Sequence, residues 1–544
     1  MAPQLSLEMA LEIRFSESRL AIDANSLAVF MKKSIVRLSL ILLLFGALPA
    51  AGAVSHKDAR RALRNGELDI AEKLFRELIS KNQRDVEAHL GLSYSLLKKR
   101  QFQAAYDSAR HALSLDEYSS RGYALLGAAL LGAGDFRNSV KAFRTSIDLN
   151  PREALAIAGL AMIDLYENRS SASVIGLRRA MQLDPAEPDF LLTFALAAAR
   201  SERYGEAADA YERFLKISPL KDVARRERIR AVMDLLRYLV EQPKLYRVTG
   251  STYAAAPMRV VDNRPIVDVR LNGSPDILRF VLDTGSAMSV ISERTAKRFK
   301  LNPVARGGMS NAVGGSGRFE IVYGYISSLN IGDVRVESIP VYIRPFFGDN
   351  NVDGYIGLSA LDEFITTLDY VHRTLNLERR QGNGSTTTVP GFQIPVRRTS
   401  SGFLSAEIKI EGLDGSWNFI VDTGASISVI ASSLAAQEQT RRFAMHTQMR
   451  IFGAAGVSEN IPTLLLPRVA LGESSLEKVT AAVLDLDSIN ESTGFTQHGI
   501  IGGNFLSNYR VSFDFQKGVM WLADPSTVAS SSDARSLRKE FNRN

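Results

Sequence analysis

The 544-residue sequence contains no cysteine. That excludes disulfides, thiol catalysis, cysteine-rich zinc sites and a lipid-anchored N-terminal cysteine. Histidine is scarce: His56, His89, His111, His372, His446 and His498 stand apart, and no pair has a ligand spacing such as HExxH. No metal site is expected from such a set. A GxxxxGK stretch is missing too, so a phosphate-cradling loop has no support. The formal net charge is +7, but basic and acidic residues are interspersed. The densest basic spots, at 225–230 and 397–398, read as solvated faces or linkers, since nucleic-acid binding needs a broad clustered patch. The sequence therefore points to no cofactor and no nucleic-acid partner. A hydrophobic fraction of 45% and a charged fraction of 23% are those of globular protein, and the length suggests several domains.

The one long apolar run lies near the start. Lys32, Lys33 and Arg37 precede an apolar stretch at 38–48, and Ala51-Gly52-Ala53 offers small residues for cleavage. This is the pattern of a secretory signal peptide, and the run is short for a membrane span. Residues 31–53 are expected to be removed on export to the periplasm or outside the cell. A membrane partner enters only if that segment stays uncleaved. Residues 1–30 are expected to be an extension arising from a start codon assigned too early.

A period of 34 residues follows. Glu117, Pro151, Pro185 and Pro219 mark it, with Ala71, Ala105, Ser139, Ser173 and Ala207 at one offset and Phe75, Ala109, Phe143, Leu177 and Tyr211 at another. Small residues where two helices cross, followed by a proline that stops the second, describe a repeat that must stack on its neighbours to bury its apolar face. Tyr123, Leu126, Gly127, Gly134, Phe136, Phe143 and Pro151 fall at the spacings of the tetratricopeptide repeat, which this region resembles. Five copies fit between about 52 and 221, and "KDVARRERIRAVMDLLRYLV" reads as a helix closing the stack. An all-α solenoid is thus expected over 54–243, and repeats of this kind imply a protein partner.

After Pro243 the pattern alternates in the manner of strands, as in "IVDVRLNG" and "LSAEIKIEG". This half is duplicated. "FVLDTGSAMSVIS" at 280–292 returns as "FIVDTGASISVIA" at 419–431, so that Asp283 and Asp422 are 139 apart. Downstream, Gly357 pairs with Gly502, Phe364 with Tyr509 and Asp369 with Asp514, all 145 apart. A carboxylate at the end of an apolar strand is costly unless it is paired. Two such copies resemble the lobes of an aspartic protease, of the retropepsin-like branch in lobe length and arranged, as in pepsins, with both lobes in one chain.

The resemblance implies a mostly β, two-lobed unit, with lobes at 257–380 and 401–524, a linker at 381–400 and a disordered tail at 525–544. It implies that Asp283 and Asp422 form a catalytic pair that activates water on a peptide or protein substrate, one carboxylate as base and its protonated partner as acid. Thr284 and Thr423 are expected to hydrogen-bond across the lobes. Gly285 and Gly424 are expected to turn the backbone so that its N–H groups face the carboxylates. The next positions differ, Ser286 against Ala425. A Ser286 hydroxyl donating to Asp283 would make Asp283 the ionised member and Asp422 the protonated one. "AVGGSGRF" from Ala312 and "IFGAAGVS" from Ile451 are expected to be flap hairpins. Tyr323 and Tyr325 do not fall where a flap tyrosine belongs. The expected activity is that of an exported aspartic endopeptidase whose repeats recruit a substrate or partner and can be removed without loss of chemistry. The rival reading is a binding scaffold whose lobes have lost turnover. Pairing of lobes between chains is a further alternative.

Overall fold

Helices that begin at Leu68, Phe102, Phe136, Ser170 and Tyr204 are each 14 residues long and 34 residues apart. The structure, a computed structural model, describes residues 54–312, 318–348, 351–380 and 389–525. The signal-like segment, most of the first glycine-rich stretch, the first part of the linker and nearly all of the tail lie outside those residues. Between the 14-residue helices run Val86–Lys98, Ser120–Ala133, Ala154–Tyr166 and Pro188–Arg200. His56–Arg64 opens the stack and Val223–Val240 closes it. The periodic small positions Ala71, Ala105, Ser139, Ser173 and Ala207 are all fully buried. Close crossing explains them. A Cβ at Gly127 would lie 2.7 Å from the Phe143 ring, and one at Gly159 would lie 2.1 Å from it.

The second half is β. In the first lobe Leu278–Leu282, the strand leading into Asp283, runs parallel to Gly354–Ile356; in the second, Trp417–Val421 runs parallel to Gly499–Ile501. The two duplicated sequence elements are thus neighbours within each lobe. Their glycines are needed for contact: a Cβ at Gly354 or Gly499 would lie 2.3 Å from the ring of Phe280 or Phe419. Beneath both lobes lies one antiparallel run of six strands: Phe392–Pro395, Val519–Ala523, Arg510–Asp514, Phe364–Asp369, Thr374–Arg379 and Tyr253–Val261. At its centre Thr367 faces Ser512, its own counterpart in the duplication, and their hydroxyls are 2.8 Å apart. A pseudo-two-fold axis passes between them.

Repeats and lobes share packing, against the expectation of a detachable solenoid. Phe495 of the second lobe is fully buried against Phe136 and Tyr166, with centroids 4.9 and 5.2 Å away. Ala231, Leu235 and Leu239 of the closing helix form one apolar cluster with Ala305, Ile321 and Tyr323 of the first lobe. The described part of the expected linker, from 389 on, and the basic spots are also structured. Arg397 and Arg398 form a short strand, and the Arg397 guanidinium lies 4.0 Å from the Phe136 ring centre. Arg225 pairs with Asp189 at 2.8 Å, and buried Arg226 donates to the Ser218 hydroxyl and the Leu215 carbonyl. These arginines satisfy internal acceptors and rings rather than solvent.

Candidate active site

Asp283 and Asp422 each follow the last residue of an apolar strand, and each backbone N–H donates to the neighbouring parallel strand at 3.0 Å, from Asp283 to the Ile356 carbonyl and from Asp422 to that of Ile501. The same ladder in both lobes carries the two side chains to the axis, where each carboxyl lies against the glycine that follows the opposite motif. Both aspartates are half-buried.

Thr284 and Thr423 are fully buried and brace the pair. The Thr284 hydroxyl donates to the Val421 carbonyl at 2.7 Å and accepts from the Thr423 N–H at 3.0 Å; the Thr423 hydroxyl donates to the Leu282 carbonyl at 2.7 Å and accepts from the Thr284 N–H at 3.1 Å. Four reciprocal bonds tie the ends of the two strands together, at the positions where cross-lobe bonds were expected. The glycines do more than present an N–H. Gly285 donates to Asp283 at 2.9 Å and Gly424 to Asp422 at 2.8 Å. A Cβ on Gly285 would lie 2.4 Å from the Asp422 carboxyl carbon, and one on Gly424 would lie 2.6 Å from an Asp283 oxygen. Each glycine leaves the space that the opposite carboxyl occupies.

The expected role of Ser286 is not met. Its hydroxyl donates to the Met288 carbonyl at 2.8 Å, an acceptor two residues along its own loop. The asymmetry falls instead on the backbone, because the Ala425 N–H donates to Asp422 at 3.1 Å beside that of Gly424. Burial lifts both carboxyl pKa values. Asp283 is held well above the usual carboxylate range by burial, then by the Asp422 charge and hydrogen bond. Asp422 is raised less, because the hydrogen bond from Asp283 and the N–H groups of Gly424, Ala425 and Gly285 favour its charged form. Two backbone N–H groups donate to Asp422 and one to Asp283, which favours the charged form of Asp422, the reverse of the order that Ser286 suggested.

The hairpin expected at Ile451 is present: Ala444–Gly453 pairs with Gly456–Leu471, turning at Ala454-Ala455. Its tip reaches the first lobe, where Arg344 donates to the Ala454 carbonyl at 3.4 Å. The first-lobe strands Ala305–Asn311 and Arg318–Ile331 also pair, around a turn outside the described residues. Tyr323 and Tyr325 lie away from a hairpin tip, against Tyr342 and Tyr238 at 5.1 and 5.8 Å. Arg344 itself escaped sequence reading. It lies outside both duplicated motifs, and only the strand register could have singled it out. Among the described residues no group of His, Asp and Glu could hold a metal ion.

Comparison with known proteins agrees with this division. A family model described as aspartyl protease matches residues 267–360 and 406–505, one stretch in each lobe. Tetratricopeptide repeat models match 57–120 and 120–153. Anaphase-promoting complex subunit 3 of Schizosaccharomyces pombe is 24% identical over 162 residues, 30% of this chain and 24% of that protein. Cytochrome c-type biogenesis protein CcmH of Escherichia coli is 27% identical over 126 residues, 22% of this chain and 35% of that protein. The chain thus spans about a quarter and a third of these two curated relatives. Among solved structures, an aspartic proteinase from Irpex lacteus aligns with 50% of this chain and 97% of its own, at 14% identity and TM-score 0.35. A thermophilic tetratricopeptide protein of Thermus thermophilus covers 34% of this chain and 96% of its own, at 19% identity and TM-score 0.29. The chain joins tetratricopeptide repeats to a pair of aspartyl-protease-like lobes.

Proposed function

We propose that this chain is an exported aspartic endopeptidase in which Asp283 and Asp422 hydrolyse peptide bonds through an activated water. One observation carries the reading. Two half-buried carboxyls are braced identically from both lobes, and each fills the space that the opposite glycine leaves, 2.4 Å from the Cβ position of Gly285 for the Asp422 carboxyl carbon and 2.6 Å from that of Gly424 for an Asp283 oxygen. Two carboxyls so close do not both ionise, so one is a base and the other an acid at the same pH. Ionised Asp422 takes a proton from water as that water attacks the scissile carbonyl carbon. Protonated Asp283 gives its proton to the carbonyl oxygen. The resulting gem-diol collapses as its C–N bond breaks: Asp422 gives its proton to the leaving nitrogen, and Asp283 takes one back from a gem-diol hydroxyl, which restores both groups. No step needs a further group. The repeats bring a protein substrate or partner to the lobes, since repeats of this kind serve protein–protein interaction. Export rests on the signal-like segment at 31–53.

The test is expression from Met31, N-terminal sequencing of the exported chain, and a peptide-cleavage assay with Asp283→Asn and Asp422→Asn alongside. A mature chain that starts near residue 54 and cleaves peptides, with each variant slower by several orders of magnitude, is expected. Near-normal cleavage by either variant would remove the basis of the assignment.

A further inference from the structure

Beside the strands that follow the two aspartates, the duplication breaks in side-chain chemistry. In the first lobe Ser292 stands beside Arg344 in a parallel strand pair; in the second, Ala431 stands beside Leu484 in the equivalent pair. Ser292 and Ala431 are counterparts, so Arg344 and Leu484 are too. The difference extends to their neighbours. Phe346 and Tyr355, whose rings lie 5.0 and 5.7 Å from the Arg344 guanidinium, correspond to Leu486 and Ile500, both buried in an apolar cluster with Leu484. One lobe carries a cation held among aromatic rings where the other carries three aliphatic side chains.

Arg344 is half-buried, and among the described residues no carboxylate lies within ion-pair distance of it. Its bonds are long and use one nitrogen, which donates to the Pro345 carbonyl at 3.3 Å and the Ala454 carbonyl at 3.4 Å. The rings favour the charge through their faces but offer it no lone pairs. A guanidinium presents five N–H donors in a fork that fits a carboxylate. Leaving such a charge half-buried without a counter-ion is unfavourable. It stands near enough to Asp283 to favour that carboxyl's ionised form, and the tip of the opposite hairpin rests on it, so it faces the space in which a bound chain would lie.

We infer that Arg344 is a specificity-determining residue that binds an acidic side chain of the substrate on one side of the scissile bond, while the Leu484 side takes an apolar one. The inference rests on the proposed peptidase reading and deepens it. Binding of the acidic side chain completes the guanidinium's hydrogen bonds and also steadies the hairpin tip at Ala454. The polarity of the cleft fixes the direction in which a chain lies across a nearly symmetric pair of carboxyls, so the acid and the base meet the correct sides of the peptide bond.

The test uses end-capped peptides with Glu, Gln or Lys placed singly on either side of a central Leu-Leu. Cleavage is measured with the full chain, and binding with full-length Asp422→Asn, which holds peptides without cutting them. Glu at one position should be favoured over Gln by about tenfold or more in both readouts, the range of a charge-assisted hydrogen bond. Arg344→Gln should erase the preference, and Arg344→Glu should turn it towards Lys, an outcome that misfolding cannot mimic. A Glu preference that survives Arg344→Glu, or an equal loss for all three peptides in Arg344→Gln, would overturn the inference. Cleavage without any Glu preference sinks the inference and leaves the peptidase reading standing. Selective binding to Asp422→Asn with no cleavage by the unaltered chain does the opposite.

Discussion

At Gly285 and Gly424 the missing side chain is what lets two carboxyls meet, and at Thr284 and Thr423 a single hydroxyl serves both lobes. Thr284→Ala would leave the buried Thr423 N–H and Val421 carbonyl without their partner. Unmade buried hydrogen bonds are expensive, so the change should destabilise the fold by about 2–3 kcal/mol in denaturant unfolding. Thr284→Ser keeps the hydroxyl and should recover most of that loss. Equal stability of the Ala and Ser variants would mean that the cross-lobe bonds carry no weight. The aspartates, threonines and glycines were legible in the sequence because the duplication writes them twice. The proton order was not. A serine beside an aspartate says nothing about which acceptor its hydroxyl finds, and Ser286 found Met288. The additional donor, the Ala425 N–H, belongs to a residue with no polar side chain to draw attention to it.

Elements were legible where a period governed them. The 34-residue spacing gave the repeats and their number, and the 139- and 145-residue offsets marked two elements that prove to be neighbours within each lobe, the second a short strand where a turn was expected. Strand ends at the domain junction were not legible, since no period reaches them. Phe392–Pro395 and Arg397–Arg398 sit in a stretch rich in turn residues; the first pairs with Val519–Ala523 far along the chain, and the second with Leu404 and Ser405 close by. The short strand Gly499–Ile501 adds a pH-dependent term through the residue before it. His498 lies against Trp417 at 4.8 Å, and its Nδ1 is buried without a hydrogen-bond partner. Burial lowers its pKa to about 4, and a hydrogen bond at the Asn418 backbone offsets this only in part. The unfolded histidine titrates near 6.5. Above that value neither state binds the proton and no stability is lost. As the pH falls from about 6.5 to about 4, only the unfolded chain takes it up, so stability drops by at most about 1.4 kcal/mol per pH unit. Unfolding midpoints from pH 7 to 4.5 should show a steeper acid loss for the unaltered chain than for His498→Gln. Parallel curves would place the titration elsewhere.

Over the whole molecule, the helical and β halves differ in sequence grammar yet share two apolar contacts. Sequence periodicity describes how a repeat packs on the next repeat and is silent about what its outer faces meet. Phe495 reads as one aromatic residue in a loop, and only the structure places it between Phe136 and Tyr166. A chain of residues 245–544 would expose Phe495 and the Ala305, Ile321 and Tyr323 patch. It should be less stable than the full chain and prone to aggregate, where the sequence alone suggested a free-standing peptidase. Phe495→Ala in the full chain removes one of the two contacts and should cost about 3–5 kcal/mol, the range for a buried phenylalanine. A soluble 245–544 fragment with the full chain's thermal midpoint would show that the shared packing is idle. The two halves also meet where the closing helix packs against the strand pair Ala305–Asn311 and Arg318–Ile331.

The central claim is that Asp283 and Asp422 act as one acid–base unit, and kcat/KM for a single capped peptide measured on the unaltered chain, Asp283→Asn, Asp422→Asn and the double variant tests it most directly. The account predicts that each single change removes activity by several orders of magnitude with the fold intact, and that the double variant is scarcely slower than either, since groups that act together are not additive. Losses that multiply in the double variant, or a single variant that still cleaves at near the original rate, would contradict it.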